Sequence, residues 1–275
     1  GVNNSPVATA NTDTVNEDSS ISQTAATGVL ANDTDPDTTD VLSVSQITNG
    51  SDTVAAGTAI AGSQGGLFTL NADGSYIFDA NSEFDDLAPS ETRTTSIDYT
   101  AVDGEGGLST ATFTVTVTGL NDAPIASGNT DTTTENNAVT RAASTGVLQN
   151  DLDADASDSV AVSEITNGSD TVAPGNSIAG TQGGLFVLNA DGGYSFDPNG
   201  DFIDLAVGES RTTAVTYEVE DSHGGTDTAV LTMTVTGVNN SPVATANTDT
   251  VNEDSSISQT AATGVLANDT DPDTT

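Results

Sequence analysis

The sequence of 275 residues lacks cysteine and tryptophan, and its only histidine is His223. Without cysteine the protein is either intracellular or an extracellular protein that something other than disulfides stabilises. Without tryptophan there is no strong platform for stacking sugars. His223 aligns with Glu105 of an internal repeat, so no repeated nucleophile–base pair exists. Pairs of acids, as in glycosidases, are expected by chance at this aspartate content. We therefore expect no enzymatic activity.

Basic residues are almost absent as well: 41 Asp and Glu stand against three Lys and Arg, a formal charge of -38. This balance excludes nucleic acid as a partner, because phosphate binding needs a basic surface. It also disfavours anionic membrane surfaces. No run approaches the roughly 18 apolar residues of a membrane-spanning helix, and no signal peptide is visible at the start. We expect no membrane insertion, and a fragment of a longer protein.

What the chain does contain is a long internal repeat. Gly-Val-Asn-Asn-Ser-Pro at 1–6 returns at 237–242, and the related Gly-Leu-Asn-Asp-Ala-Pro stands at 119–124. The offset is 118 both times (119 − 1 and 237 − 119). A period of this length fits one compact domain per repeat. We expect domains at 1–118 and 119–236, followed by a partial third repeat at 237–275 that copies 1–39. The domain boundary could also fall elsewhere in the repeat, or the tail could pair with another molecule.

Within each repeat the apolar residues alternate with polar ones, as in Phe68 and Leu70 or in Phe113, Val115 and Val117. A period of two predicts strands with one buried and one exposed face. Asn-Ala-Asp-Gly at 71–74 and similar segments predict tight turns. About seven or eight short strands per repeat indicate an all-β fold. We expect tandem antiparallel β-sandwich domains, joined by short proline-containing linkers into a linear rod.

Acidic residues recur in one short stretch of every repeat. They are Asp33, Asp35 and Asp37, then Asp151, Asp153 and Asp155, and finally Asp269, Asp271 and Asp273. Asp40 follows the first group at the same spacing as Asp158 follows the second. Hard cations such as Ca²⁺ take six to eight oxygen ligands from such clusters. An EF-hand is rejected, because Thr38 and Val44 replace its glycine and glutamate. The alternative is a solvated acidic turn, but the spacing persists while the intervening residues change, which favours a calcium site.

Further ligand candidates lie at other repeated positions. They are the glutamates Glu17, Glu135 and Glu253, and the aspartates Asp103 and Asp221. The glutamate persists while its neighbour changes from Asp18 to Asn136. An exposed charge near a strand end would explain the glutamates equally well. An Asx turn next to the glycine-rich segment would explain the two aspartates.

Several motifs together resemble the VCBS repeats of very large bacterial surface proteins. The matching segments are 28–37, 67–76, 99–103 and 114–124, which include Val-Leu-Ala-Asn-Asp, Leu-Asn-Ala-Asp-Gly-Ser-Tyr and Val-Thr-Gly-Leu-Asn-Asp-Ala-Pro. The resemblance runs through both repeats. It implies an immunoglobulin- or cadherin-like sandwich, one-step (type I) secretion, and tandem stalk repeats of a biofilm-type RTX adhesin.

A more distant resemblance to cadherins implies calcium ligands at domain junctions. Its pattern of glutamate, Asp-x-Asp, aspartate and Asn-Asp linker falls on Glu17, Asp35/Asp37, Asp103 and Asn121/Asp122. In the second repeat it falls on Glu135, Asp153/Asp155, Asp221 and Asn239/Asn240. The Asp-Arg-Glu loop of cadherins has no counterpart here. Two of the three linkers carry Asn where the cadherin pattern has Asp.

These observations predict calcium-stabilised extension repeats of a secreted bacterial cell-surface adhesin, involved in adhesion or biofilm formation. Expected partners are neighbouring repeats of the same chain, with a tail-mediated contact to another molecule as a further option. The alternative is a ligand-binding sandwich that recognises a carbohydrate or a host protein. A non-catalytic appendage of a secreted hydrolase is a third interpretation.

Overall fold

The computed structural model describes residues 2–273, which fold almost entirely into β-strands. The chain divides into two compact units. The first comprises Gly1–Ala123 and Asp153–Ser159, and the second comprises Pro124–Leu152 and Val160–Thr275. Residues 153–159 thus belong to the second sequence repeat but to the first compact unit.

The first repeat contributes nine strands to the described structure. They are β1 (Asn11–Asn16), β2 (Ser20–Gln23), β3 (Ser43–Thr48), β4 (Thr53–Ala55), β5 (Ile60–Ala61), β6 (Leu67–Leu70), β7 (Tyr76–Asp79), β8 (Thr92–Val102) and β9 (Leu108–Thr118). One five-stranded sheet has the order β1-β9-β8-β3-β4, and a four-stranded sheet has the order β2-β7-β6-β5. Neighbouring strands are antiparallel except β1, which runs parallel to β9 from Asn11 opposite Phe113 to Asn16 opposite Thr118.

The second repeat builds the same two sheets. Its strands are β10 (Asn129–Thr134), β11 (Val139–Arg141), β12 (Ala161–Thr166), β13 (Thr171–Val172), β14 (Ser177–Ala179), β15 (Leu185–Leu188), β16 (Tyr194–Asp197), β17 (Ser210–Glu220) and β18 (Thr226–Thr236). The sheet orders are β10-β18-β17-β12-β13 and β11-β16-β15-β14. Two short 3-10 helices, Ala143–Thr145 and Val147–Asn150, precede the acidic stretch. The predicted all-β sandwich fold is confirmed.

Apolar residues at every second position fill the space between the sheets of each unit. In β9, Phe113, Val115 and Val117 are fully buried, as the period of two predicts. Phe68 from the other sheet meets Phe113 edge to face, with ring centroids 5.5 Å apart. In the second unit Leu231 and Met233 stand where the first has Phe113 and Val115, and both are again fully buried. A smaller residue beside a larger one keeps the core filled.

The third copy of the repeat does not build a sandwich within the described residues. Residues 247–252 are equivalent to β1 but form no strand there, and a single isolated bridge joins Val243 to Thr270. Val265 is 70% exposed, whereas its counterpart Val29 is fully buried. The segments that cover Val29 in the first unit, such as β7 to β9, have no counterpart among residues 237–273.

Candidate metal centre

Glu17 is held in the interior of the first unit by the parallel pairing of β1. The residue follows β1 directly, and its N–H continues the ladder to the carbonyl of Thr118 at 3.1 Å. Its side chain is only 2% exposed, and Oε1 accepts the N–H of Leu120 at 2.6 Å. The linker after β9 passes close to Leu87, because a Cβ on Gly119 would lie 2.1 Å from the Leu87 carbonyl oxygen. Glycine is therefore required at position 119.

Three carboxylates from distant segments meet at this point. Oxygens of Glu17, Asp122 and Asp155 all lie within 4.8 Å of one another, and all three residues belong to the first unit. The N–H of Asp122 donates to Asp155 Oδ2 at 3.0 Å. The N–H of Asp155 in turn donates to Asp153 Oδ1 at 3.0 Å. We call Glu17, Asp122 and Asp155 the Glu17 cluster.

The donor set of the Glu17 cluster fits a hard divalent cation. Oε2 of Glu17 is buried and accepts no hydrogen bond from residues 2–273. A buried carboxylate oxygen without a donor is costly, and Ca²⁺ or Mg²⁺ would satisfy it because both prefer oxygen ligands. The structure therefore contains an acidic cluster that could hold a metal ion.

Electrostatics also set this cluster apart from ordinary surface acids. Burial raises the pKa of Glu17 to about 7, and the nearby charges of Asp122, Asp155 and Asp18 add to the increase. Burial likewise raises the pKa of Asp122, with further contributions from Asp155, Asp18 and Asp85. Like charges that cannot ionise together either take up protons or attract a cation.

The raised pKa predicts a pH dependence for the metal-free protein. Folded Glu17 titrates at about 7 and unfolded glutamate near 4.5, so the folded state binds more protons between these values. The corresponding stabilisation is present below the unfolded pKa and is lost as the pH rises through 7. Glu17→Gln, which is neutral at every pH, should remove this dependence.

Urea unfolding of the metal-free proteins between pH 5 and 8 measures the effect. The native chain should lose stability relative to Glu17→Gln as the pH rises. Glu253→Gln is a matched control, because Glu253 has the same neighbours in sequence but is exposed. A constant stability difference between native and Glu17→Gln across this range would contradict the prediction.

A second acidic group in the first unit brings Asp35 and Asp103 together with Asp40. Carboxylate oxygens of the three residues lie within 4.8 Å. Asp103 Oδ1 accepts the N–H groups of Glu105, Gly106 and Gly107 at 2.8–2.9 Å, which is the Asx turn that the sequence offered as an alternative. Its Oδ2 accepts Asn3 Nδ2 at 3.0 Å. The Asn3 hydrogen bond and these backbone N–H groups lower the pKa of Asp103.

Asp33 has a different environment from the other acids of its stretch. It accepts the Thr9 N–H at 2.7 Å and the Tyr99 hydroxyl at 3.1 Å. Its counterpart Asp151 accepts the Ser127 N–H at 2.7 Å. Burial raises the pKa of both aspartates. These contacts anchor the segment before the first strand of each repeat, and they place Asp33 and Asp151 apart from the acidic groups described above.

The second unit contains a site equivalent to the Glu17 cluster. Glu135, which is 3% exposed, corresponds to Glu17, Asn240 to Asp122, and Asp273 to Asp155. Asn240 Nδ2 donates to Glu135 Oε1 at 2.6 Å and to Asp273 Oδ1 at 3.1 Å. We call these three residues the Glu135 cluster. It has two carboxylates instead of three.

The remaining predicted ligands lie outside these groups or at their edges. Asp221 is 6% exposed and accepts the His223 and Gly225 N–H groups. Asp37 accepts the Asn4 N–H, Asp269 accepts the Thr245 N–H, and Asp271 accepts the Asp273 N–H. Asn121, Asn239 and Glu253 are exposed.

Sequence reasoning did not include Asp85, whose charge contributes to the raised pKa of Asp122. Asn240, which follows Asp122 by one full period of 118 residues, was among the predicted linker residues, and the structure places its amide beside Glu135 and Asp273. Asp40, which recurs one period later as Asp158, belonged to the predicted acidic stretch, and the structure groups it with Asp35 and Asp103. Asp85 aligns with Ile203, so repetition could not have identified it.

Among residues 2–273, no helix is long and apolar enough to cross a membrane.

The structure thus defines the chain as tandem all-β sandwich domains with an acidic cluster beside the first strand of the repeat. The chain belongs to the family described as bacterial cadherin-like domain, whose profile matches residues 3–119 and 121–237. No curated protein matches this sequence significantly.

Solved cadherin structures are similar to the chain at low identity. Drosophila N-cadherin EC1-4 is 13% identical with a TM-score of 0.41, and the match covers 86% of this chain and 51% of that one. Mouse Cadherin-23 EC22-24 is 12% identical with a TM-score of 0.47, covering 88% and 70%. Human CDH23 EC21-23 is 16% identical with a TM-score of 0.48, covering 88% and 73%. The chain thus spans about half the length of the N-cadherin chain.

Proposed function

We propose that this chain is a segment of calcium-stabilised extension repeats from a large secreted bacterial surface adhesin. The observation that carries the proposal is the Glu17 cluster, where three carboxylates converge on a buried oxygen that accepts no hydrogen bond from residues 2–273. Membership of the bacterial cadherin-like family supports it. Repeated copies of one domain along the chain also support an extension role, because a stalk needs copies whereas a receptor usually needs one good site.

Calcium would neutralise the mutual repulsion of Glu17, Asp122 and Asp155 and would satisfy the buried oxygen of Glu17. The ion would be bound by Glu17 at the end of β1, by Asp122 in the linker after β9 and by Asp155 in the acidic loop 153–159. The metal would therefore link the loop 153–159 to β1 and to the linker after β9 within the first unit. The acids Asp35, Asp40 and Asp103 would offer a second site of the same kind.

These calcium sites would couple folding to the calcium concentration of the compartment. In a calcium-poor cytosol the 41 acidic residues repel one another and favour an unfolded, secretion-competent chain. Outside the cell, calcium at ten times its dissociation constant would add about 1.4 kcal/mol of stability per site. Secretion by the one-step route and a role in adhesion or biofilm formation belong to the same proposal.

Calorimetric titration of calcium into the metal-free chain tests the proposal. We expect saturable binding with dissociation constants on the order of 0.1–1 mM, the range of extracellular calcium modules. Magnesium is the comparator, and we expect it to bind more weakly because it requires a smaller and stricter octahedral site. Absence of calcium binding up to about ten times that range would refute the calcium role.

A further inference from the structure

The Glu17 and Glu135 clusters differ at one decisive position. Asp122 brings a third carboxylate to Glu17 and Asp155, whereas Asn240 brings an amide to Glu135 and Asp273. Both glutamates are buried, at 2% and 3% exposure, and both keep one buried oxygen, Oε2, that accepts no hydrogen bond from residues 2–273. The two sites therefore differ in their third side chain, which is a carboxylate in Asp122 and an amide in Asn240.

The amide of Asn240 binds both of its acidic neighbours at once. Its Nδ2 donates to Glu135 Oε1 at 2.6 Å and to Asp273 Oδ1 at 3.1 Å, and it also lies 3.3 Å from the carbonyl oxygen of Ile203. The backbone N–H of Asn240 donates to Asp273 Oδ2 at 3.1 Å. Hydrogen bonds to ionised carboxylates are among the stronger ones in proteins. In the Glu17 cluster a carboxylate occupies the corresponding position and cannot donate.

The orientation of this amide follows from its surroundings. If the side chain were flipped, Oδ1 would face the oxygens of two carboxylates, and acceptor facing acceptor is unfavourable. A cation that entered beside Glu135 Oε1 and Asp273 Oδ1 would therefore have to displace the amide donor or turn it around. The carboxylate count is also lower, two instead of three, and ligand charge is one of the factors that set calcium affinity.

We propose that the residue at the position of Asp122 and Asn240 determines what holds each cluster together. Aspartate makes the cluster depend on calcium, whereas asparagine donates hydrogen bonds to the two carboxylates and so forms a clasp that replaces the cation. This inference rests on the proposed function for the Glu17 cluster. We expect the Glu135 cluster to bind calcium at least about tenfold more weakly than the Glu17 cluster. Asn4, one period before Asp122, also bonds its acidic partner, with its N–H 2.7 Å from Asp37 Oδ2 and its Nδ2 at 3.4 Å. Linkers with Asp and linkers with Asn would then respond differently to calcium along one chain.

Exchange of Asp122 and Asn240 in the full chain tests whether this position determines calcium binding. Asp122→Asn should remove one calcium from the stoichiometry measured by calorimetry, or weaken its binding at least about tenfold. Asn240→Asp should add one calcium with an affinity close to that of the native Glu17 cluster. The double exchange should restore the native stoichiometry. If neither single variant changes the stoichiometry or the affinity, the inference is overturned.

Stability without metal tests the clasp itself and separates the two proposals. In chelator, Asp122→Asn should stabilise the first unit, because an amide donor replaces a repelling charge. Asn240→Asp should destabilise the second unit for the opposite reason. Hydrogen exchange at β9 and β18 assigns each effect to its unit. If the native chain binds no calcium, the proposed function fails, but opposite shifts in these variants would still support the clasp. Shifts in the same direction, or none, would overturn it.

Discussion

Replacement of Phe78 by alanine is expected to lower the free energy of unfolding of the first unit by about 3–5 kcal/mol. Phe78 is fully buried on β7, and its ring centroid lies 4.6 Å from that of Phe68. The ring also covers Gly66, where a Cβ would lie 2.5 Å from ring atoms of Phe78. Truncation would open a cavity between the sheets that backbone atoms on the Gly66 side cannot fill.

Ile77→Ala provides the control for this prediction. Ile77 is the preceding residue of the same strand, faces the other way and is 46% exposed, so we expect a loss of about 1 kcal/mol or less. Urea unfolding followed by circular dichroism measures both variants. Phe196→Ala makes the equivalent change in the second unit. Similar losses for Phe78→Ala and Ile77→Ala would show that the core is not where the structure places it.

Glu17→Gln is expected to weaken calcium binding at the Glu17 cluster by at least about tenfold. Disruption of groups that only orient metal ligands already costs about 10–100-fold in affinity, and Glu17 itself is a proposed ligand. Glutamine keeps the size of the side chain and an oxygen for the Leu120 N–H. The loss would therefore come from the missing charge rather than from a change of packing.

The third copy of the repeat supplies the control within the same chain. Glu253 has the sequence neighbours of Glu17, yet it is exposed. Glu253→Gln should leave the calcium titration unchanged. Equal weakening by the two substitutions would mean that calcium binds to acidic sequence in general and not to the folded Glu17 cluster.

The sandwich could be predicted from the sequence because its core strands alternate cleanly. Phe68 and Leu70, or Phe113 and Val115, are buried as the period of two requires. The strand β1 is different, because Asn-Thr-Asp-Thr-Val-Asn carries no apolar alternation. Its conformation depends on parallel pairing with β9 at the other end of the repeat, a tertiary contact that a local pattern cannot reveal.

The grouping of the acids was less predictable than their identity. Repetition singled out Asp33, Asp35 and Asp37 as one stretch. The structure gives each a different partner: Tyr99 for Asp33, the Asp103 group for Asp35, and the Asn4 N–H for Asp37. Successive acids in an extended loop face different segments of the chain. Which segments lie there is decided by the fold of the whole unit.

Thermal unfolding of the native chain in chelator and in calcium tests the central claim most directly. At ten times the dissociation constant, about 1.4 kcal/mol per filled site should raise the melting temperature by several degrees. Equal magnesium should raise it less. The same melting temperature in chelator and in saturating calcium would contradict the account.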